Sequence, residues 1–150
     1  MKVLVFTIGP DRYALRLAAI ARVLPVAELK AVALAPAWVA GLLDLHGEPV
    51  PVIDLARLAG MPAEQIWFDT RIVLADYALG AGATACIGLL CEHVLGIADI
   101  APDVLRDSGV AGARFMGQVA STANGMLQLI EIGELLPAEV RAVLFPEHAS

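Results

Sequence analysis

Cations and aromatic rings are both scarce in this sequence. Aromatic residues make up 5%, and ten Lys and Arg stand against sixteen Asp and Glu, for a formal net charge of −6. A nucleic-acid partner normally requires a basic stripe. The few cations here are scattered, and no basic–aromatic ladder is present. No nucleic-acid partner is expected.

Cysteine is limited to Cys86 and Cys91. Five positions apart on one strand, they point to opposite faces and cannot bridge. Two reduced, buried thiols are expected, the usual state in a reducing cytosol. Cys91-Glu92-His93 places three ligand-type side chains in a row. Neighbours on a strand diverge, however, and no second ligand cluster accompanies them, so no metal site is expected.

Serine occurs only at 108, 121 and 150, none of them beside His46 and Asp44. Those two form the single His–carboxylate pair with the local spacing of a catalytic dyad, and without a nucleophile they read as a solvated surface pair. The glycine-containing stretches 9–11, 80–82 and 109–112 lack the spacing and the following Lys-Ser/Thr of a phosphate loop. The expectation is no catalytic residue and no cofactor.

Long hydrophobic runs are missing as well, although 59% of residues are hydrophobic and mean hydropathy is +0.74. The uncharged stretch 31–43 is broken by Pro36 and Gly41, and 78–91 contains Gly80, Gly82, Thr84 and Gly88. Both fall short of the ~20 residues that span a bilayer. Met1-Lys2-Val3 enters strand-like alternation at once, with no signal-peptide pattern. A cytoplasmic protein without direct membrane insertion is expected, with part of its apolar excess serving protein contacts.

What is present is a succession of short strand-like runs. They cover 3–9, 13–16, 42–46, 50–53, 70–76, 84–91, 94–100, 115–121 and 126–132, with turn residues between them. Residues 17–24 fit a helix or a strand equally well. The connection 61–69, the Gly-containing loop 106–114 and a short terminal helix over 137–144 complete the chain. No repeat, low-complexity tract or linker interrupts it, and 150 residues suit one domain.

The stretch 36–58, PAWVAGLLDLHGEPVPVIDLARL, organises this reading. Pro36 suits the first position of a helical turn, which Gly41 can end. Residues 42–46 then run extended, with Leu43 and Leu45 on one face and Leu42, Asp44 and His46 on the other. Gly47-Glu48 suits a two-residue II′ turn. Pro49 and Pro51 restrict the return strand, placing the hairpin at a sheet margin. Asp54 is an N-cap for 55–58, and Gly60 a stop.

These residues also carry a resemblance. The glycine–leucine pattern of 41–47, PVIDL and the short helix after it resemble the signature of CheW-like domains, the chemotaxis coupling proteins. VLVFTIGPDRYAL, LAAIARVLP, TRIVLAD, IGLLCEHVLGIADI, FMGQVA and GMLQLIEIGELLP continue the likeness in order over essentially the whole chain.

The resemblance implies an all-β fold with minor α. It would be one CheW-like domain over 1–150, built of two five-stranded SH3-like barrels that share a core, with their boundary near residue 70. It favours a short helical turn and then a strand through 20–25. It implies a non-catalytic scaffold in a bacterial chemosensory array. Such an adaptor binds the regulatory domain of a CheA-type histidine kinase and the cytoplasmic tip of a methyl-accepting chemoreceptor, at the inner face of the membrane.

The interface candidates are Ile20, Arg22, Leu42, Asp44, His46, Gly47 and Ile97. Two depart from the family pattern: His46 stands where arginine is usual, and Arg22 where an acidic residue is usual. The ending LLPAEVRAVLFP, without an N-terminal extension, is similar to adaptors of Wsp-type surface-sensing systems that feed cyclic-di-GMP synthesis. The competing readings are a small-molecule-binding β-barrel regulator, which a well-formed pocket would favour, and an enzyme.

Overall fold

The computed structural model describes residues 1–61, 70–107 and 115–146. Eleven strands are present among them. These are β1 (Lys2–Ile8), β2 (Asp11–Arg16), β3 (Ile20–Pro25), β4 (Val39–Leu45), β5 (Glu48–Asp54), β6 (Arg71–Gly80), β7 (Ala83–Cys91), β8 (His93–Asp99), β9 (Leu105–Asp107), β10 (Met116–Thr122) and β11 (Gly125–Ile130). Two short α-helices, α1 (Leu55–Leu58) and α2 (Ala138–Leu144), and three 3-10 turns fill the corners. The ambiguous segment 17–24 resolves into a 3-10 turn at Leu17–Ala19 followed by β3. The connection over 62–69 and most of the loop over 106–114 lie outside the described residues.

The strands form two sheets, ordered β8-β1-β2-β11-β10-β9 and β3-β6-β7-β5-β4. The second has the five strands expected of each barrel, and the first adds the three-residue β9 as a sixth. The strands do not divide near residue 70. The chain leaves the six-stranded sheet after β2, completes the five-stranded sheet from β3 to β7, and returns at β8. Pairing decides this division: β6 and β7 bond to β3 and β5, whereas β8 and β11 bond to β1 and β2.

Strand alternation explains why so apolar a chain folds this way. Along β1, Val3 and Val5 enter a cluster with Ala14, Ala120, Leu127 and Leu129, inside the curl of the six-stranded sheet. Their neighbours Leu4, Phe6 and Ile8 point the other way, into a cluster with Val73, Ala75, Tyr77, Ile87 and Leu89 of the other sheet. On β6, Ile72 and Leu74 join Leu43, Val50 and Val52 in a third cluster, which Leu24 of β3 and Leu45 of β4 edge. Each sheet thus wraps its own small core, and a larger core lies between them. Strands covered on both faces lose the polar alternation of a half-exposed sheet.

Cys86 and Cys91 both lie on β7 and are free. Cys86 borders the five-stranded sheet's own core, and Cys91 is fully buried in the shared one. Burial pushes both thiols up, reinforced by Asp76 beside Cys86 and by Asp54 near Cys91. The nucleophile is the thiolate, so both are expected to react slowly. Native mass spectrometry without reductant should find no intramolecular bridge, and thiol titration should label Cys91 only on unfolding. Prompt labelling of Cys91 in the folded protein would contradict this packing.

Candidate functional site

The seven interface candidates lie on or beside three strands that end their sheets among the described residues. β3 is one margin of the five-stranded sheet, with Ile20 half-buried against the shared core and Arg22 exposed. β4 is the opposite margin and holds Leu42 and Asp44, with His46 and Gly47 in the turn that follows. β8 is a margin of the other sheet, where Ile97 is 61% exposed. Leu42, Asp44, His46 and Gly47 therefore stand together, whereas Ile20 with Arg22 and Ile97 lie on two other edges. Edge strands with unpaired backbone groups are natural docking sites.

The hairpin is set at the sheet margin, as the prolines require. Leu42 faces Pro51 and Asp44 faces Pro49 across the β4–β5 ladder, and β7 pairs with β5 only from Val52 onward. The missing donors of Pro49 and Pro51 thus cost no ladder bond.

The turn differs from the expected II′ form. Leu45 pairs with Glu48, so His46 and Gly47 are the two central residues, with φ of 53° and 89°. Positive φ at both positions is the type I′ arrangement, whose twist matches the flanking strands. His46 is consequently an exposed turn residue and not the end of the strand. Asp44 locks the turn, its Oδ1 accepting the Gly47 N–H at 2.7 Å. That carboxylate is engaged with backbone and does not orient the His46 imidazole as a catalytic dyad would.

Two further details upstream differ from expectation. No helical turn forms at Pro36; the Val39 N–H instead donates to the Pro36 carbonyl in an isolated turn. Gly41 does not end that turn but sits within β4 at a register shift, where the chain at Lys30 crosses the strand. Lys30 and Leu42 exchange both backbone hydrogen bonds, at 2.9 and 2.7 Å. Lys30 thereby joins Leu42, Leu43, Asp44, Gly47 and Pro49 around a cleft of about 330 Å3. No local signal in the sequence announces this pairing, so Lys30 is a residue that spacing alone does not bring to the hairpin.

A second cleft of about 690 Å3 opens between the β3–β4 connection and α2, lined by Leu34, Trp38, Val140 and Val143 among others. Leu34 is 96% exposed there. Both clefts are open and shallow, unlike the enclosed pocket that a small-molecule regulator needs. Among the described residues, no group of three or more His, Cys, Asp or Glu is placed to hold a metal ion. Nor is any described helix long and apolar enough to cross a membrane.

Asp54, at the end of β5, holds the hairpin's return to the sheet. Its Oδ1 accepts the N–H groups of Ala56 at 3.1 Å and Arg57 at 3.2 Å, capping α1 as expected. Burial raises the Asp54 carboxyl above the ordinary range, against the opposing pull of the Arg57 N–H, the Arg57 charge and the Ala56 N–H. A folded-state pKa above the unfolded one means that the folded protein binds this proton more tightly. The resulting stabilisation is present at low pH and is lost as pH rises through the folded pKa. Asp54→Asn keeps the acceptor without the charge, so at pH 7 it should be at least as stable as the parent. Asp54→Ala should lose about 1 kcal/mol. Urea melts from pH 4 to 8 check both; an Asn variant as weak as the Ala variant would show that the charge itself is needed.

Comparison with known proteins agrees with this architecture. The family model of the CheW-like domain matches residues 2–140. A "Chemotaxis protein CheW" of Rhizobium meliloti (strain 1021) is 23% identical over 147 residues, covering 93% of this chain and 90% of that protein. Another of the same name from Bacillus subtilis (strain 168) is 24% identical over 115 residues, covering 75% and 71%. In fold, the chain is similar to the scaffolding protein TtCheW from Thermoanaerobacter tengcongensis, with a TM-score of 0.78 and 23% identity over 89% of this chain and 90% of that one. The arrangement of the two sheets and the match over residues 2–140 together show that this chain belongs to the CheW-like domain family.

Proposed function

We propose that the protein is a non-catalytic adaptor that couples the cytoplasmic tip of a methyl-accepting chemoreceptor to the regulatory domain of a CheA-type histidine kinase, at arrays on the inner face of the membrane. The observation that carries this reading is the family match over residues 2–140. The form of the surface supports it: a β scaffold places Leu42, Asp44, His46 and Gly47 at one sheet margin, and Ile20, Arg22 and Ile97 at two others. Three separate edges on one core allow two partners to bind at once. The direct test is co-purification of the protein with the regulatory domain of a CheA-type kinase and with receptor-tip fragments from the same organism. Retention of neither would overturn the reading.

His46 gives the test a residue. It is exposed at the hairpin tip in a left-handed backbone conformation that Asp tolerates well. His46→Asp should therefore shift folding stability by less than ~0.5 kcal/mol, as an ordinary surface change does. Its binding to kinase domain or receptor tip should weaken by ~1–2 kcal/mol, as for an important interface residue. His46→Arg should retain kinase binding. Thermal melts paired with titration calorimetry decide it, and a folded Asp variant that binds both partners at parental affinity would remove His46 from the interface.

A further inference from the structure

The outer edge of β4 is only partly used. Leu42 spends its N–H and C=O on Lys30, which fixes which side of the strand those groups face. Alternation along an antiparallel strand then turns the N–H and C=O of Asp44 to the same outer side. The Asp44–Pro49 register agrees, since a proline cannot complete a two-way bonded pair. No described residue pairs with these two Asp44 groups. The Lys30 bridge is thus a strand addition that stops after one residue pair, and the space beyond it is the cleft of about 330 Å3.

The chemistry of this cleft is directional. Lys30 is its single cation and makes no ion pair among the described residues. Leu42 and Pro49 give it an apolar floor, and the Asp44 carboxylate, held by the Gly47 N–H, repels anions from the turn end. Lys30 itself cannot drift away, because its backbone is tied to Leu42 at both groups.

We propose that this edge receives an extended segment of a partner polypeptide as an added strand. The segment bonds to the Asp44 N–H and C=O, lays an apolar side chain over Leu42 and Pro49, and directs a carboxylate to the Lys30 ammonium. This is recognition by strand addition, in which backbone bonds give affinity and alternate side chains give specificity. The proposal rests on the adaptor reading for the hairpin being a surface that faces partners. Lys30 is its specificity-determining residue.

The test uses the full chain, 15N-labelled, and two synthetic pentapeptides, acetyl-VTETV-amide and acetyl-VTKTV-amide, whose valines and central charged residue share one face of an extended strand. The glutamate peptide should shift the amide signals of Leu43, Asp44 and Gly47 and bind about three- to five-fold more tightly than the lysine peptide, the range of one exposed ion pair. Lys30→Glu should reverse that preference, and Lys30→Met should abolish it. Among the described residues only the Lys30 backbone is bonded, so both variants should melt as the parent does. A glutamate peptide N-methylated at its valines should not bind. Equal binding of the two peptides, or shifts centred on the Trp38–Val143 cleft, would overturn the proposal. A chain that takes the glutamate peptide at Asp44 yet co-purifies with neither kinase nor receptor overturns the adaptor reading and supports the edge site. Co-purification without any response at 42–47 does the reverse.

Discussion

Gly41→Ala should lower folding stability by about 2–3 kcal/mol, the upper range for a side chain forced into occupied space. A Cβ at Gly41 would lie 2.6 Å from the carbonyl oxygen of Lys30 and 2.9 Å from the Cβ of Leu29. Neither is the far end of a flexible chain. The oxygen is backbone, and it already accepts the Leu42 N–H at 2.7 Å. Relief would therefore break the Lys30–Leu42 pair, and a φ of 149° adds strain for any residue with a side chain. Gly133→Ala is the control: nothing lies within 4 Å of its Cβ. It should change stability by no more than about 0.5 kcal/mol. Urea melts of both variants measure the difference, and an unperturbed Gly41→Ala protein would mean that the Lys30 crossing yields easily.

Phe6→Ala should cost about 3–5 kcal/mol, the usual range for emptying a buried phenylalanine site. Phe6 is fully buried in the core between the sheets and stacks on Tyr13, with ring centroids 5.9 Å apart and planes 23° from parallel. The size of the loss is less informative than its distribution. Because this cluster takes residues from both sheets, the loosening should reach both. Amide exchange at Val73 in the five-stranded sheet should accelerate along with that at Leu127 in the six-stranded one. Faster exchange at Leu127 alone would show two independent units and not one cooperative domain.

The features legible in the sequence are those decided within a few residues. Asp54 announces its cap because the acceptor and the two donors it serves lie within three positions. Pro49 and Pro51 announce a margin because a missing N–H cannot be hidden inside a sheet. The opposed faces of Cys86 and Cys91 follow from parity alone. The turn falls at His46-Gly47, one residue before the Gly47-Glu48 that local chemistry favours, since glycine readily takes positive φ whereas histidine does so only when the strands impose it. Gly41 resembles a helix stop for a related reason. Its requirement comes from Lys30, a neighbour in space that no spacing rule identifies. The interleaving of the sheets was hidden in the same way: apolar runs state that a strand is covered, and are silent about which strand covers it. Of the candidate site, the hairpin cluster was legible as a unit. The separation of Ile20, Arg22 and Ile97 onto other edges, and the part played by Lys30, depend on those long-range pairings.

The return of the chain to its first sheet has a consequence for synthesis. Translation delivers β1 and β2 first, but Val3 must wait for Ala98 and Arg12 for Leu127 before their sheet exists. The segment between them, β3 to β7, is contiguous and can close its own pairing while the amino-terminal ribbon is still waiting. Once closed, that sheet can cover Leu4, Phe6 and Ile8, but the Val3 and Val5 face of the ribbon still waits for Ala120, Leu127 and Leu129. Distant pairings of this kind slow folding and expose sticky intermediates. Yield in a cell should therefore depend on chaperone supply more steeply than the stability of the finished protein would suggest.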